Sequence, residues 1–366
     1  MDRQFINTSS VFFTLLCVPI GGPRYHKFTI LWSFLSLSLS LSLSQMGSIK
    51  PEVSQEVLPY LIEYKDGTVE RLVGTQVTPP GSDPQTGVVS KDVLIVPETG
   101  VSVRLYRPID TPKDKKLPLV VYFHGGAFCI ATVGEPLYHN SLNILVANSN
   151  VVAVAVDFRN SPEFPLPAAY DDSWAALEWV ASHAAGGGSE VWLNENVDFD
   201  KVYLAGDSAG ANISHHLAIR AGSIRIDGLK FHGILMIQPY FWGEKPIGSE
   251  VTDTVRKGMV DIWWRYVCPS DKGCDDPLIN PFADGSPLLS GLACDRVIVC
   301  VAEKDILRDR GVLYYDALVK SGWGGKVEFM EVEGEDHVFH LFNPTCEKAM
   351  NMIKRLARFI NEESEI

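Results

Sequence analysis

Basic charge is in short supply in this chain. Against 45 Asp and Glu stand only 32 Lys and Arg, a formal net charge of −13 over 366 residues. A surface of that sign argues against nucleic acid and anionic membrane as partners. Cysteine is sparse too. The seven are Cys17, Cys129, Cys268, Cys274, Cys294, Cys300 and Cys346, an odd number with no pair at zinc-ligand spacing. That pattern supplies neither a metal site nor a disulfide framework, and it points to a reducing, cytoplasmic setting. Internal repeats are absent. Long apolar runs are absent as well, with one exception. Residues 28–44 read FTILWSFLSLSLSLSLS, where serine interrupts leucine at every second position. That is poor material for a membrane anchor or a signal h-region.

Alternating Ser and Leu is what a CT dinucleotide repeat encodes in every forward frame. Residues 1–45 are therefore expected to be a leader read through as protein, with a targeting segment as the alternative. From Met46 the sequence MGSIKPEVSQEVLPYLIEYKDGTVERL has the mixed composition of a folded N-terminus. The folded domain is expected over 46–366.

With 46% hydrophobic residues the chain has ample material for a core. Eight apolar runs punctuate it: 93–97, 101–106, 117–124, 151–158, 201–206, 232–239, 296–303 and 326–332. Several are unbroken Val/Ile/Leu, as in strands covered on both faces. Helical stripes fall between them, such as Trp174, Leu177, Ala181 and Ala184, and later Met350, Ile353, Ala357 and Ile360. Strands alternating with helices predict an α/β fold: a mostly parallel, eight-stranded sheet with helices on both faces. Two stretches break the alternation, 47–80 and about 240–290. Insertions at the C-terminal ends of strands often cover an α/β site, so together they are expected to form a small cap.

The chemistry concentrates in a few loops. Gly206-Asp207-Ser208-Ala209-Gly210 follows the apolar run KVYLA and precedes the helical ANISHHLAIR. G-x-S-x-G between a strand and a helix is a nucleophile elbow, a turn that lifts the Ser208 hydroxyl above the sheet. His124-Gly125-Gly126-Ala127-Phe128 follows the strand LPLVVYF. Such a loop offers backbone N–H groups to an oxyanion, so Gly125, Gly126 and Ala209 are the expected donors. An acid and a histidine should follow in that order. Asp305 closes the run RVIVCVAE, and His337 sits in the loop after KVEFMEVEG. His337 is expected to deprotonate Ser208 while Asp305 holds its tautomer. Asp309 and Asp336 are rival acids. His215, His216 and His340 are rival bases, the first two better read as packing or surface residues of the helix after the elbow. Acyl transfer to water needs no cofactor.

With HGGAF, GDSAG, a late Asp and a late His in this order, the sequence resembles the plant carboxylesterases of the hormone-sensitive-lipase-like α/β-hydrolase group. The resemblance runs from Met46 to the C-terminus and includes VDFRNSPEFPLPAAYDD (156–172) and GEDHVFHLFNP (334–344). It implies the α/β-hydrolase fold, a cap from the N-terminal segment and a mid-chain insertion, and hydrolysis of small carboxylic esters. The runs DPQTGVVSKDVLIV (83–96), YFHGGAFC (122–129) and YFWGEKPIGSE (240–250) are similar to those of 2-hydroxyisoflavanone dehydratases. That similarity implies a lyase alternative, with an isoflavonoid substrate losing water at the same site. Some of those lyases carry Thr at the nucleophile position, whereas this chain has Ser208. The group also contains gibberellin receptors that lack the catalytic histidine, and His337 argues against that role. Ala127 stands where many relatives have a third glycine. Its N–H survives, so no loss of function is expected.

Overall fold

The computed structural model describes residues 51–362. The expectation for residues 1–45 lies outside the described residues.

All eight expected strands form. They are β5 (Val88–Val96), β6 (Val101–Pro108), β7 (Leu117–Phe123), β8 (Val152–Asp157), β9 (Val197–Asp207), β10 (Phe231–Ile237), β11 (Arg296–Ala302) and β12 (Lys326–Val332). A ninth strand, β4 (Ser82–Asp83), adds two residues at one edge. The sheet order is β12-β11-β10-β9-β7-β8-β6-β5-β4. From β12 to β8 every pair is parallel, and β6, β5 and β4 complete the sheet antiparallel.

Strand β7 shows why the sheet needs two helix layers. Leu119, Val121 and Phe123 pack into one core, while Val120 and Tyr122 pack into the other. One layer carries α2 (Ala168–Ala184) and α4 (Ala209–Ser223), with Trp174, Leu177 and Leu217 buried against the sheet. The other carries α1 (Pro136–Ser149) and α8 (Glu347–Asn361), with Leu142, Leu145, Met352 and Leu356 buried. The chain runs from β7 out to β8 and returns as β9 on the far side of β7. Such a reversal opens a crevice at the carboxyl ends of the strands, and ligands bind there in α/β sheets. The HGGAF loop leaves the end of β7, and the elbow leaves the end of β9.

The stretch 47–80 contains strands that sequence periodicity did not reveal. β1 (Val53–Val57), β2 (Leu61–Tyr64) and β3 (Val69–Arg71) form a separate antiparallel sheet. The mid-chain insertion contains α5 (Thr254–Val267). These two regions meet. Trp263 donates its indole N–H to the Leu58 carbonyl at 3.1 Å, and the Tyr266 hydroxyl donates to Glu63 at 3.0 Å. The Tyr60 and Trp263 rings lie 4.7 Å apart. The insertion is also tied to α6 (Arg308–Lys320) by a buried ion pair, Arg310 to Glu250 at 2.7 Å. Arg310 gives further bonds to the Gly243 and Lys245 carbonyls. Arg310 and Glu250 are 4% and 0% exposed, so each needs the other in place of water.

The six cysteines among the described residues are free. No helix among those residues is long and apolar enough to cross a membrane.

Candidate active site

The turn from β9 into α4 is sterically confined. A Cβ on Gly206 would stand 2.3 Å from the Gly210 carbonyl carbon, and one on Gly210 would stand 1.8 Å from the Phe123 oxygen. Only glycine fits at either position. Between them Ser208 has φ 51 and ψ −117, a left-handed φ that a serine rarely adopts and that marks stored strain. The backbone holds it there: Ser208 N–H donates to the Ile237 carbonyl at 2.9 Å, and Tyr240 N–H donates to the Ser208 carbonyl at 3.0 Å.

His337 reaches this serine from the loop after β12. Its Nδ1 lies 2.7 Å from Asp305 Oδ2, and its Nε2 lies 2.9 Å from Ser208 Oγ. A carboxylate only accepts, so Nδ1 carries the proton and Nε2 is left to accept from the serine hydroxyl. Asp305 is buried, and its other oxygen accepts from Leu307 N–H at 2.9 Å. Burial works to lower the His337 pKa. The charge and hydrogen bond of Asp305 outweigh it, with help from Asp207 and Asp336, and the net shift is upward. The residue after His337 is strained as well. Val338 has φ 47, an outlier for a β-branched residue. Its N–H donates to Gln238 Oε1. Gln238 is buried at the end of β10 and is itself fixed by a 2.7 Å bond from its N–H to the Cys300 carbonyl. It therefore helps to hold the His337 loop in place.

The HGGAF loop departs from expectation at one residue. Gly125 N–H donates to the Tyr138 hydroxyl at 2.9 Å and to Asp207 Oδ1 at 3.2 Å. It is already engaged, so Gly125 is corrected from oxyanion donor to structural residue. Its lack of a side chain is what matters, because a Cβ there would stand 2.4 Å from Asp207 Oδ2. Gly126, Ala127 and Ala209 have no partner for their N–H groups within the described residues. The expected donors Gly126 and Ala209 remain available, and Ala127 takes the place of Gly125. Gly126, Ala127 and Phe128 have successive left-handed φ values of 94, 49 and 61. Successive N–H groups in such turns converge into an anion-binding concavity.

Three supports of this loop were not legible in the sequence. Asp207 is fully buried and accepts from Tyr122 at 2.7 Å, Tyr138 at 3.1 Å and Gly125 N–H. Burial pushes its pKa up, against those bonds. Its place between Gly206 and Ser208 was the one available signal. Tyr138 comes from α1 and nothing in the sequence marked it. Arg71 of β3 donates to the Cys129 carbonyl at 2.8 Å and the Ser161 carbonyl at 3.0 Å, and pairs with Glu163 at 2.6 Å. It ties the N-terminal sheet to the segment just after the HGGAF loop.

The rival residues are engaged in other ways or stand apart from Ser208. Asp309 accepts from Ser249 N–H at 2.7 Å and pairs with Arg308. Asp336 accepts from His337 N–H at 2.8 Å and faces Arg256 at 3.4 Å. His215 bonds the Tyr314 hydroxyl at 3.0 Å, and His216 the Leu278 carbonyl at 2.9 Å. His340 is buried with no partner for either ring nitrogen among the described residues, and burial drives its pKa down to about 3. Among the described residues no three His, Cys, Asp or Glu side chains cluster to hold a metal ion.

Two cavities meet at Ser208, His337 and Ala127. One of about 640 Å³ reaches toward Arg256, Val260 and Trp263 of α5. The other, of about 250 Å³, runs under the HGGAF loop toward α1.

Residues 120–341 match the family of the alpha/beta hydrolase fold. The chain is 57% identical to a probable carboxylesterase 2 of Arabidopsis thaliana over 317 residues, 87% of this chain and 99% of that protein. It is 44% identical to the 2-hydroxyisoflavanone dehydratase of Glycine max over 315 residues, 84% of this chain and 99% of that protein. Among solved structures it resembles the Pyrobaculum calidifontis esterase, with TM-score 0.62 and 30% identity over 74% of this chain and 84% of that one. With this sheet order, this elbow and these relatives, the chain belongs to the α/β-hydrolase fold family, among the plant carboxylesterases and their 2-hydroxyisoflavanone dehydratase relatives.

Proposed function

We propose that this chain is a carboxylic ester hydrolase in which Ser208, His337 and Asp305 act as a catalytic triad. The observation that carries the reading is the unbroken path from Asp305 through His337 to Ser208, with bonds of 2.7 and 2.9 Å. His337 Nε2 takes the Ser208 proton as Oγ attacks the ester carbonyl. The oxyanion is received by the N–H groups of Gly126, Ala127 and Ala209. The C–O bond to the alcohol then breaks, His337 returns the proton to the departing oxygen, and the acyl group stays on Ser208. Water, deprotonated by His337, repeats the attack and frees the acid and the serine.

The N-terminal sheet and the α5 region act as the cap over this site. Arg256 of α5 supports that role, because it donates to the Lys304 carbonyl at 2.9 Å, next to Asp305. The free cysteines support a reducing, cytoplasmic setting.

Kinetics on short-chain aryl esters test the proposal. Ser208→Ala should abolish turnover down to the level left by the oxyanion donors, and near-wild-type turnover would overturn it. The dehydratase relative favours a second reading, elimination of water from a 2-hydroxyisoflavanone. Incubation with that substrate and chromatography for the isoflavone decides whether the site also does this.

A further inference from the structure

The smaller cavity is apolar along most of its wall. Val73, Ile130, Leu137, Leu341 and Phe342 line it, and the Glu135 side chain joins them. Glu135 immediately precedes Pro136, the first residue of α1, at the N-cap position. Here it makes no side-chain capping bond. Nor does it have an ion-pair or hydrogen-bond partner for its carboxylate among the described residues. It is only partly exposed, and burial, followed by the charge of Asp207, raises its pKa. Of the other polar side-chain groups lining the cavity, Tyr138 donates to Asp207 and Ser208 bonds His337, while the Tyr60 hydroxyl is the remaining unbonded one among the described residues. Glu135 is therefore the one carboxylate on this wall without a partner among the described residues. Its hydration there is reduced, in keeping with the raised pKa, and an occupant that seals the cavity must supply a donor to replace the remaining water.

We infer that Glu135 is a specificity residue, and that the smaller arm of the ester substrate carries a hydrogen-bond donor, a hydroxyl or an ammonium, that it receives. The inference rests on the proposed hydrolysis at Ser208, whose two cavities take the two arms of the ester. The 250 Å³ cavity has room for an arm of about eight heavy atoms, taking about 30 Å³ for each as for liquid water. A purely apolar arm of that length would leave the Glu135 carboxylate desolvated and unbonded. A site built to bond a hydroxyl discriminates strongly against the analogue that lacks it.

Isosteric ester pairs test this. On the acyl arm, aryl butanoate is compared with aryl 3-hydroxypropanoate and 3-aminopropanoate. On the alcohol arm, propyl 2-naphthoate is compared with its 2-hydroxyethyl counterpart. The expected result is a kcat/KM about tenfold or more in favour of the donor-bearing ester on one arm, as a hydrogen bond to a charged acceptor implies. Glu135→Leu should erase that ratio. Glu135→Gln should keep part of it for the hydroxyl and lose it for the ammonium. Because a ratio is read, a general loss of activity in either variant cancels. Calorimetric titration of the same pairs onto Ser208→Ala protein reads the ratio as binding, independent of turnover. Ratios within twofold on both arms, or a wild-type ratio that both Glu135 variants retain, would overturn the inference while leaving hydrolysis at Ser208 intact. Ester turnover that survives Ser208→Ala would instead overturn the proposed mechanism, and the binding ratio would still decide the role of Glu135.

Discussion

Replacing Asp305 by Asn should disable His337 by turning it over chemically, with little movement of atoms. The argument comes from the second oxygen of the carboxylate. Asp305 Oδ1 accepts from Leu307 N–H at 2.9 Å, and Oδ2 accepts from His337 Nδ1 at 2.7 Å. In the Asn variant the carbonyl oxygen must stay on Leu307 N–H, since an NH2 group cannot accept it. The amide nitrogen then faces His337 Nδ1 and donates to it. The imidazole proton is forced onto Nε2, the atom that must take the Ser208 proton. A wrong tautomer of this kind costs about 10⁴ in kcat in other triads. The electrostatic share gives a similar scale, because two charges about 4 Å apart at an effective dielectric of 20 interact by about 4 kcal/mol, close to 10³ in rate. A loss of 10³ to 10⁴ is therefore expected in steady-state hydrolysis of an aryl ester. The pH profile carries a second signature. His337 must be neutral to act as base, and its pKa is raised above the ordinary histidine value mainly by Asp305. Wild-type activity should fall as pH drops through a point above about 6.5, and the residual activity of the variant should fall at a lower pH. Asp309→Asn is the control, as Asp309 bonds Ser249 and Arg308 instead. Activity of Asp305→Asn within tenfold of wild type, or an acid limb that does not move down, would refute the reasoning.

Other consequences follow from the same geometry. Gly126→Ala puts a Cβ 2.4 Å from the Ile130 carbonyl oxygen at a φ of +94. It should displace the oxyanion donors and lower kcat by about 10²–10³, with little change in KM, as single-turnover kinetics will show. Arg310→Met leaves Glu250 buried without its partner, which should cost roughly 3 kcal/mol or more in denaturant unfolding. Adding Glu250→Leu should recover most of that loss. His215 and His340 are buried and His216 partly so, and burial lowers the pKa of all three, that of His216 to about 4 and that of His340 to about 3. Their folded-state pKa values lie below the unfolded value, so their stabilising contribution is complete above about pH 6.5 and is lost on acidification. For His216 and His340 the loss should approach about 1.4 kcal/mol per pH unit each between those limits, and His215 adds to it in the same direction. Thermal unfolding followed from pH 7 to pH 4 checks this.

Much of the site was legible because its chemistry depends on strand ends. A serine between two confined glycines after β9, an acid after β11 and a histidine after β12 each follow an unmistakable apolar run. The sheet brings those ends together whatever the rest of the chain does. Gly125 was misread because its motif states only that the backbone approaches something closely. That something is Asp207 and Tyr138. Tyr138 comes from α1, and its reach depends on how that helix packs against β6 and α8, which no local periodicity encodes. The strands of 53–71 were missed for another reason. They are only three to five residues long, and four of the five residues of β1 are exposed. The apolar alternation that marks a half-buried strand is too brief there to register. Gln238 and Arg71 act on loops distant in sequence, so their hydrogen bonds exist only after folding.

The central claim is that an acyl group passes through Ser208. It is tested most directly by quenching the enzyme in acid during turnover of a bulky, slowly deacylating aryl ester and weighing the intact protein and its peptides. The account predicts a mass increase equal to one acyl group on the peptide that contains Ser208, and its absence from Ser208→Ala. Sustained hydrolysis with an unmodified Ser208 peptide, or an acyl group on another residue, would contradict it.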